Sequence, residues 1–362
     1  MHSEIIKTYE EFLKLENVWD ELLIKSNQYH INLTFNWNKN WIQTYWKNQP
    51  LFIIVVYEAN EIIGIAPLVI HNSYKILRDL VKVRRISFMA SGINDSCDFI
   101  ISQKNNNVID LIIKTLFDYN KLWDELQFVK MFEYSVNYKP LIESLKKYKI
   151  YTNIITSYTS SFVNTQKTFD EYLKTLSKST VKSINRKLKK IYPISPEFKI
   201  YKNLSPEIFN RILEIESARE SKYIIRSSFF NNELNRIFFG KSINDYYRNT
   251  QPLILTIETN NKMISFMICF LENNTLKFWL ASFDINFSQY SPGFILFYHT
   301  IKYCCENNIV LFDMMLGIEE YKKKWTMDTI NVQSVFFEKA FIRIKIRNIY
   351  RIFGRIFHKY FF

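Results

Sequence analysis

Ser291, Pro292 and Gly293 follow one another between two apolar runs, and they carry the most specific chemistry in the chain. Serine is a favoured helix N-cap, and proline is favoured at the first helical position, where its missing N–H is not needed. Gly293 adds no side chain to the first turn. Free N–H groups of Gly293 and Phe294 would then face an anion, and the helix dipole would add partial positive charge. An apolar run, 276–283, and a polar loop, 284–290, precede the triplet. A nearly all-apolar segment, 294–305, and a second short apolar run, 309–315, follow it. Strand, loop, helix start and parallel strand describe a phosphate cradle at the carboxyl end of a strand. The same triplet also suits a helix start that binds nothing.

Other groups are placed for chemistry. Asp284 and Asp313 close the two apolar runs, and the turn after Gly317 carries Glu319, Tyr321, Lys322, Lys323 and Lys324. Asp95 and Asp98 follow Gly92; they suit an amine or sugar hydroxyls, or else Asx-turn bonds that hold their own loop. Glu216 and Arg219, three apart, share a helix face and suit an intrahelical ion pair. The five histidines are scattered, and Cys97, Cys269, Cys304 and Cys305 lack metal-ligand spacing. No metal site is expected, and the thiols read as core residues of a reducing compartment.

The stretch 278–325 resembles the second half of the GNAT-type acyltransferases. Within them it is most similar to the two-domain CelD-like group associated with bacterial polysaccharide assembly. The resemblance rests on Phe283-Asp284, Tyr290-Ser291-Pro292-Gly293, Phe312-Asp313, Gly317, Glu319, Tyr321, Lys322 and Trp325. It extends weakly to 61–68 and to the loop Gly92, Asp95, Asp98. Leu316 and Ile318 stand where the family has arginine and aspartate.

The resemblance implies an α/β fold. It would have tandem GNAT-like domains, each a mixed, mostly antiparallel central sheet flanked by helices. It implies an acyl-CoA donor, acetyl-CoA or another, with its pyrophosphate at Gln289, Tyr290, Ser291, Gly293 and Phe294. Direct attack of an amine on the thioester needs a base, oxyanion donors and a proton for the thiolate. Glu319 is the expected base and Tyr321 the proton donor, with Asp284 and Asp313 orienting the acceptor. Asp95, Asp98, Arg219 and Lys322 are expected to bind the acceptor, an amino sugar or other envelope amine. Two other functions fit the same sequence. One is a FemABX-like transfer from aminoacyl-tRNA, and the other a non-catalytic scaffold at the membrane.

The elements that must position these groups divide at 163. Residues 1–163 form one expected domain, without a cofactor site and lining the acceptor pocket. Residues 164–340 form the donor-binding domain, and 341–362 a tail helix. Helices are expected from Phe12 to Leu23 and over 36–46, 108–120, 139–147 and 204–222. Strands are expected over 51–57, 62–70, 84–90, 98–101, 126–131, 253–258 and 263–270. Residues 177–192 hold six cations and no acid, with Val181, Ile184, Leu188 and Ile191 at helical spacing. A solvated face, an anionic substrate, a membrane surface and nucleic acid are all compatible with it; no nucleic-acid motif accompanies it. The tail adds six cations, also without an acid; removing them lowers the net charge from +13 to +7. Its aromatics alternate with the cations as in a membrane-surface helix. No signal-peptide core and no run of about 18 apolar residues occurs, so a cytoplasmic protein, in peripheral contact with the membrane, is expected.

Overall fold

The computed structural model describes residues 1–28, 30–76, 81–102, 107–148, 152–222, 228–245 and 250–338. The tail helix expected over 341–362 lies outside them. The chain forms two compact units, and neither is continuous in sequence. Among the described residues, the first takes those within 1–28, 48–158 and 331–338; the second takes those within 30–47 and 159–330.

In the first unit, His2–Ile6, Ile53–Glu58, Glu61–Ala66 and Ile100–Ile101 pair in that order, all antiparallel. Leu68–Ile76, Val81–Phe88, Glu125–Phe132 and Thr329–Glu338 form a second series. Within it only Val81–Phe88 and Glu125–Phe132 run parallel, joined through the helix Asn107–Asp118. That helix buries Val108, Ile109, Ile112, Ile113 and Leu116, the 3–4 spacing of a one-faced helix, against a core with Phe88, Phe99 and Phe128.

Two expectations needed correction here. The strand read as 62–70 is two strands, split at Pro67 and belonging to different sheets. Proline has no N–H for the ladder, so the chain changes partners there. The first helix is also two, Tyr9–Leu13 and Glu16–Lys25. Phe12, Leu15, Trp19, Leu22 and Leu23 are nonetheless all buried, as their spacing required.

The second unit follows the order Thr152–Asn164 (from residue 159 on), Leu311–Leu316, Thr275–Phe283, Lys262–Glu272, Thr250–Thr259 and Glu197–Tyr201. The three central hairpin strands turn at Asn260-Asn261 and Asn273, all in the left-handed region that asparagine tolerates. As in the first unit, one pair is parallel: Thr275–Phe283 with Leu311–Leu316, joined by the helix Pro292–Glu306. Ile295, Leu296, Ile301 and Cys304 on that helix pack with Leu255, Met267 and Leu276 of the sheet. The loop expected over 284–290 contains a 3-10 helix, Ile285–Tyr290, capped by the Asp284 carboxylate. Elements not expected from the sequence include Thr152–Asn164, Phe169–Thr175, Glu197–Tyr201, Glu233–Ser242 and Thr329–Glu338.

Candidate active site

The parallel pair in the second unit is short. Thr275 faces Leu311, Leu276 faces Phe312 and Lys277 faces Asp313, and there the pairing ends. Both strands continue, to Phe283 and to Leu316, without bonding one another. The two strands therefore part towards their carboxyl ends, and beyond Lys277 the main-chain edge of residues 278–283 on that side has no strand partner. A bulge sets Trp279 out of register, because Phe278 pairs with Cys269 while Leu280 pairs with Ile268. Bulges of this kind re-aim main-chain groups beside a site.

The helix Pro292–Glu306 starts at this opening with Pro292 in its first turn. Ser291 is left-handed, with φ 54°, and its hydroxyl does not cap the helix. It accepts instead from the Lys187 ammonium at 2.6 Å. The amide of Phe294 donates back to the Ser291 carbonyl at 3.0 Å, so it is not free for a ligand. Gly293 N–H has no hydrogen-bond partner among the described residues. A Cβ on Gly293 would lie 3.4 Å from Phe283 Cδ1, so the helix start lies against the end of the strand that opens.

Two ammonium groups flank this start. Lys187 lies 5.0 Å from the Phe294 ring centroid and Lys324 lies 6.0 Å from it. Burial, together with Lys324, Arg186 and Lys190, pushes the Lys187 amine down. Like charges this close signal a site that gains by receiving an anion. Lys187 belongs to the helix Lys178–Ile191, begun by Ser177 and anchored by Ile184 and Ile191. In the sequence Lys187 is one of six cations on a helix compatible with an anionic substrate, and nothing in composition singles it out. The signal was its phase: it falls on the same side of the helix as Ile184 and Ile191, apart from the other cations.

The turn after Leu316 packs onto the same helix start. Tyr321 meets Phe297 edge-on at 5.4 Å, and Trp325 lies 4.6 Å from Phe294. Lys322 is only 1 % exposed. Its ammonium donates to the carbonyls of Met315, Leu316 and Gly317, at 3.3, 2.7 and 3.3 Å. It also pairs with Glu319 at 3.1 Å. Gly317 has φ +102°, and a Cβ there would sit 2.5 Å from Glu319 Oε1. Glycine at 317 is thus what lets the Glu319 carboxylate lie over the turn.

Ser291, Gly293 and Phe294 form the helix start and Tyr321 packs on Phe297 of the same helix, while Lys322 and Glu319 pair with each other within the following turn. Tyr290, in the turn before the helix, packs with the same core, while the remaining pyrophosphate candidate, Gln289, is exposed. Asp284 is elsewhere: its buried carboxylate accepts from Arg211 at 2.5 Å and from Asn286 N at 3.0 Å. Arg211 and the Asn286 amide hold it below the usual carboxylate range despite burial. Asp313 is buried, accepting from Ser160 and from Met315 N, both at 2.8 Å. Burial pushes its carboxyl up.

Arg219 and Glu216 do not pair with each other, contrary to the reading of their spacing. Arg219 donates to Ser282 Oγ at 3.0 Å and lies over the Phe283 ring at 5.5 Å, at the end of the opened strand. Glu216 accepts from Ser228 at 2.5 Å.

Asp95 and Asp98 belong to the first unit. Asp95 is half-buried. Asp98 is buried and accepts from Phe99 N at 2.7 Å, Gln28 at 2.9 Å, Asn137 at 3.0 Å and Ser135 at 2.5 Å. Burial outweighs these donors and pushes its carboxyl up to about 6. Asp98→Ala would strand four donors, three of them from distant segments. We expect it to cost roughly 3 kcal/mol or more, read as a lower midpoint in urea.

Among the described residues no group of three metal-ligating side chains occurs, and no helix is long and apolar enough to cross a membrane. Cys97, Cys269 and Cys304 are buried free thiols, as their sequence context suggested.

Residues 178–323 match the family model described as acetyltransferase (GNAT) domain. The chain has a GNAT-type α/β fold, with large, mostly antiparallel sheets flanked by helices. Among solved structures, FemX is similar over 92 % of this chain and 97 % of its own, with a TM-score of 0.60 at 10 % identity. The C-terminal domain of a putative lysylphosphatidylglycerol synthetase from Agrobacterium fabrum is similar over 91 % of this chain and 93 % of its own. Its TM-score is 0.56 at 8 % identity. L-PGS from Bacillus licheniformis has a TM-score of 0.55 at 8 % identity, over 92 % of this chain and 96 % of its own. No curated protein matches the sequence.

Proposed function

We propose that this protein is an acyl-CoA-dependent N-acyltransferase whose acceptor is an amino sugar or related amine of envelope polysaccharide synthesis. The observation that carries this reading is the helix start at Gly293, flanked by Lys187 and Lys324 and set against two separating parallel strands. A pyrophosphate suits the cations and the Gly293 amide. A thioester arm suits the opening, because the edge of residues 278–283 that has left its strand partner offers main-chain hydrogen bonds. The acceptor nitrogen attacks the thioester carbonyl, forming the C–N bond. The oxyanion is received by main-chain N–H at the Trp279 bulge. Glu319 takes the proton from nitrogen, the C–S bond breaks, and Tyr321 returns a proton to the thiolate. Arg219, at the far side of the opened strand, orients the acceptor. Peripheral contact with a membrane through 341–362 belongs to the same proposal, since an envelope acceptor is commonly lipid-linked.

Calorimetric titration of acetyl-CoA and CoA into wild type and Gly293→Trp tests it. Wild type should bind both, and the indole at the helix start should abolish the heat. No CoA species binding to folded wild type would overturn the reading. Binding of aminoacyl-tRNA in its place would move the site to the other donor class.

A further inference from the structure

The helix Lys178–Ile191 has a second face that the donor site does not use. At 100° per residue, Lys178, Lys182, Arg186, Lys189 and Lys190 fall within an arc of about 120°. All five are exposed. Lys187, Ile184, Leu188 and Ile191 point the other way. The helix contains no acid, so the stripe carries no internal neutralisation. Its 14 residues span roughly 21 Å. Tyr192, which follows directly, is 79 % exposed, among the most exposed of the large apolar side chains.

We propose that this outer face of the helix Lys178–Ile191 docks the protein on an anionic lipid bilayer. A straight helix with cations along one side presents a line of charge to a flat anionic surface. Four of the five cations are lysines, compact point charges suited to headgroup attraction rather than planar, bidentate recognition. Residues 178–191 include no aromatic side chain, so the face offers no platform on which nucleic-acid bases could stack. Tyr192 supplies the amphipathic ring that settles at a membrane–water interface. The proposal stands apart from the identity of the acyl donor, because none of the stripe residues tested below belongs to the Gly293 site.

The test is co-sedimentation of the full chain with phosphatidylcholine vesicles and with mixed phosphatidylcholine–phosphatidylglycerol vesicles. Wild type should bind the mixed vesicles, bind phosphatidylcholine alone far more weakly, and release as salt rises. One cation near an anionic surface is worth about fivefold in partitioning. Lys178→Gln/Lys182→Gln/Lys189→Gln should therefore weaken binding about a hundredfold. A charge-matched control, Lys14→Gln/Lys25→Gln/Lys47→Gln, should change it far less. CoA titration should be unaltered in both variants, which separates failure here from failure of the donor reading. Wild type that ignores mixed vesicles overturns the proposal. So does a stripe variant that binds them like wild type. So does a stripe variant that loses affinity for single-stranded RNA while keeping its affinity for vesicles.

Discussion

Lys277→Met should destabilise the fold by about 3–5 kcal/mol, the cost of removing one partner from a buried ion pair. Lys277 pairs with Glu272 at 2.5 Å, and both side chains are well buried, at 14 % and 1 % exposure. The same ammonium faces Asp313, its register partner on the neighbouring strand. Glu272 also accepts from Ile31 N at 2.7 Å, which ties the segment 30–47 to the sheet of its own unit. His30 lies 3.9 Å from Glu272. Burial and Lys277 hold its imidazole well below its ordinary value, so it is neutral and does not share the carboxylate's charge. Without Lys277 the buried Glu272 and Asp313 carboxylates would repel each other, with Glu272 left without its ammonium partner and Asp313 left with Lys322 alone.

The pH dependence of that loss has a definite sign. Burial raises both Glu272 and Asp313. A carboxyl raised in the folded state favours folding fully below its unfolded value, and that contribution fades as pH rises through the folded value. With both carboxyls protonated, the ammonium has nothing to neutralise. The gap in urea midpoint between wild type and Lys277→Met should therefore be widest near neutrality and narrow on acidification towards about pH 4. A gap that stays constant from neutral to acid pH would assign the loss to packing instead.

The parts of the site that could be read in advance are those set by local spacing. Ser291-Pro292-Gly293 announces a helix start, and the two apolar runs around it announce the parallel strands. What could not be read depends on partners far apart in the chain. The network of His30, Glu272, Lys277 and Asp313 draws on four segments, and each member looks like an ordinary polar residue in an apolar strand or loop. Ser291 looked like a cap; in the fold its hydroxyl is taken by Lys187, 104 residues away. Thr329–Glu338 hid for a related reason. It is apolar on both faces near its end, and its partner Glu125–Phe132 lies in the first unit, about 200 residues earlier. Pro67 and the helical phase of Lys187 were both present in the sequence and not used.

The turn after Leu316 shows why two substitutions against a family pattern need not dismantle a site. Leu316 and Ile318 stand where the resembled group has arginine and aspartate. Here the turn is held through main-chain atoms. The Gly317 amide donates to the Thr159 carbonyl and the Leu316 carbonyl accepts from the Lys322 ammonium, and neither contact uses the Leu316 side chain. Ile318 is 48 % exposed and could carry many side chains. Lys322, identical to the family pattern, does the positioning by gathering three carbonyls. Its substrate-facing role, expected from sequence, is therefore replaced in our proposal by support of the turn that carries Glu319.

Glu319→Gln should lower kcat by about 10²–10⁴-fold, the usual worth of a positioned general base. Glutamine keeps the shape and can still accept from Lys322, so the turn should persist and CoA should bind as in wild type. A purely structural Glu319 would behave differently. Its side chain is 41 % exposed, and an ion pair with one partner in solvent is worth at most about 1 kcal/mol, which would change kcat by less than about tenfold. Gly317→Ala probes the same carboxylate without removing it. The new Cβ would sit 2.5 Å from Glu319 Oε1 at a backbone angle of +102°, so the carboxylate must move. Both variants should then share one signature: kcat falls while the calorimetric affinity for CoA is kept. If Glu319→Gln retains wild-type kcat on an amine acceptor, Glu319 is not the base, and proton removal must be assigned to another group at the opening.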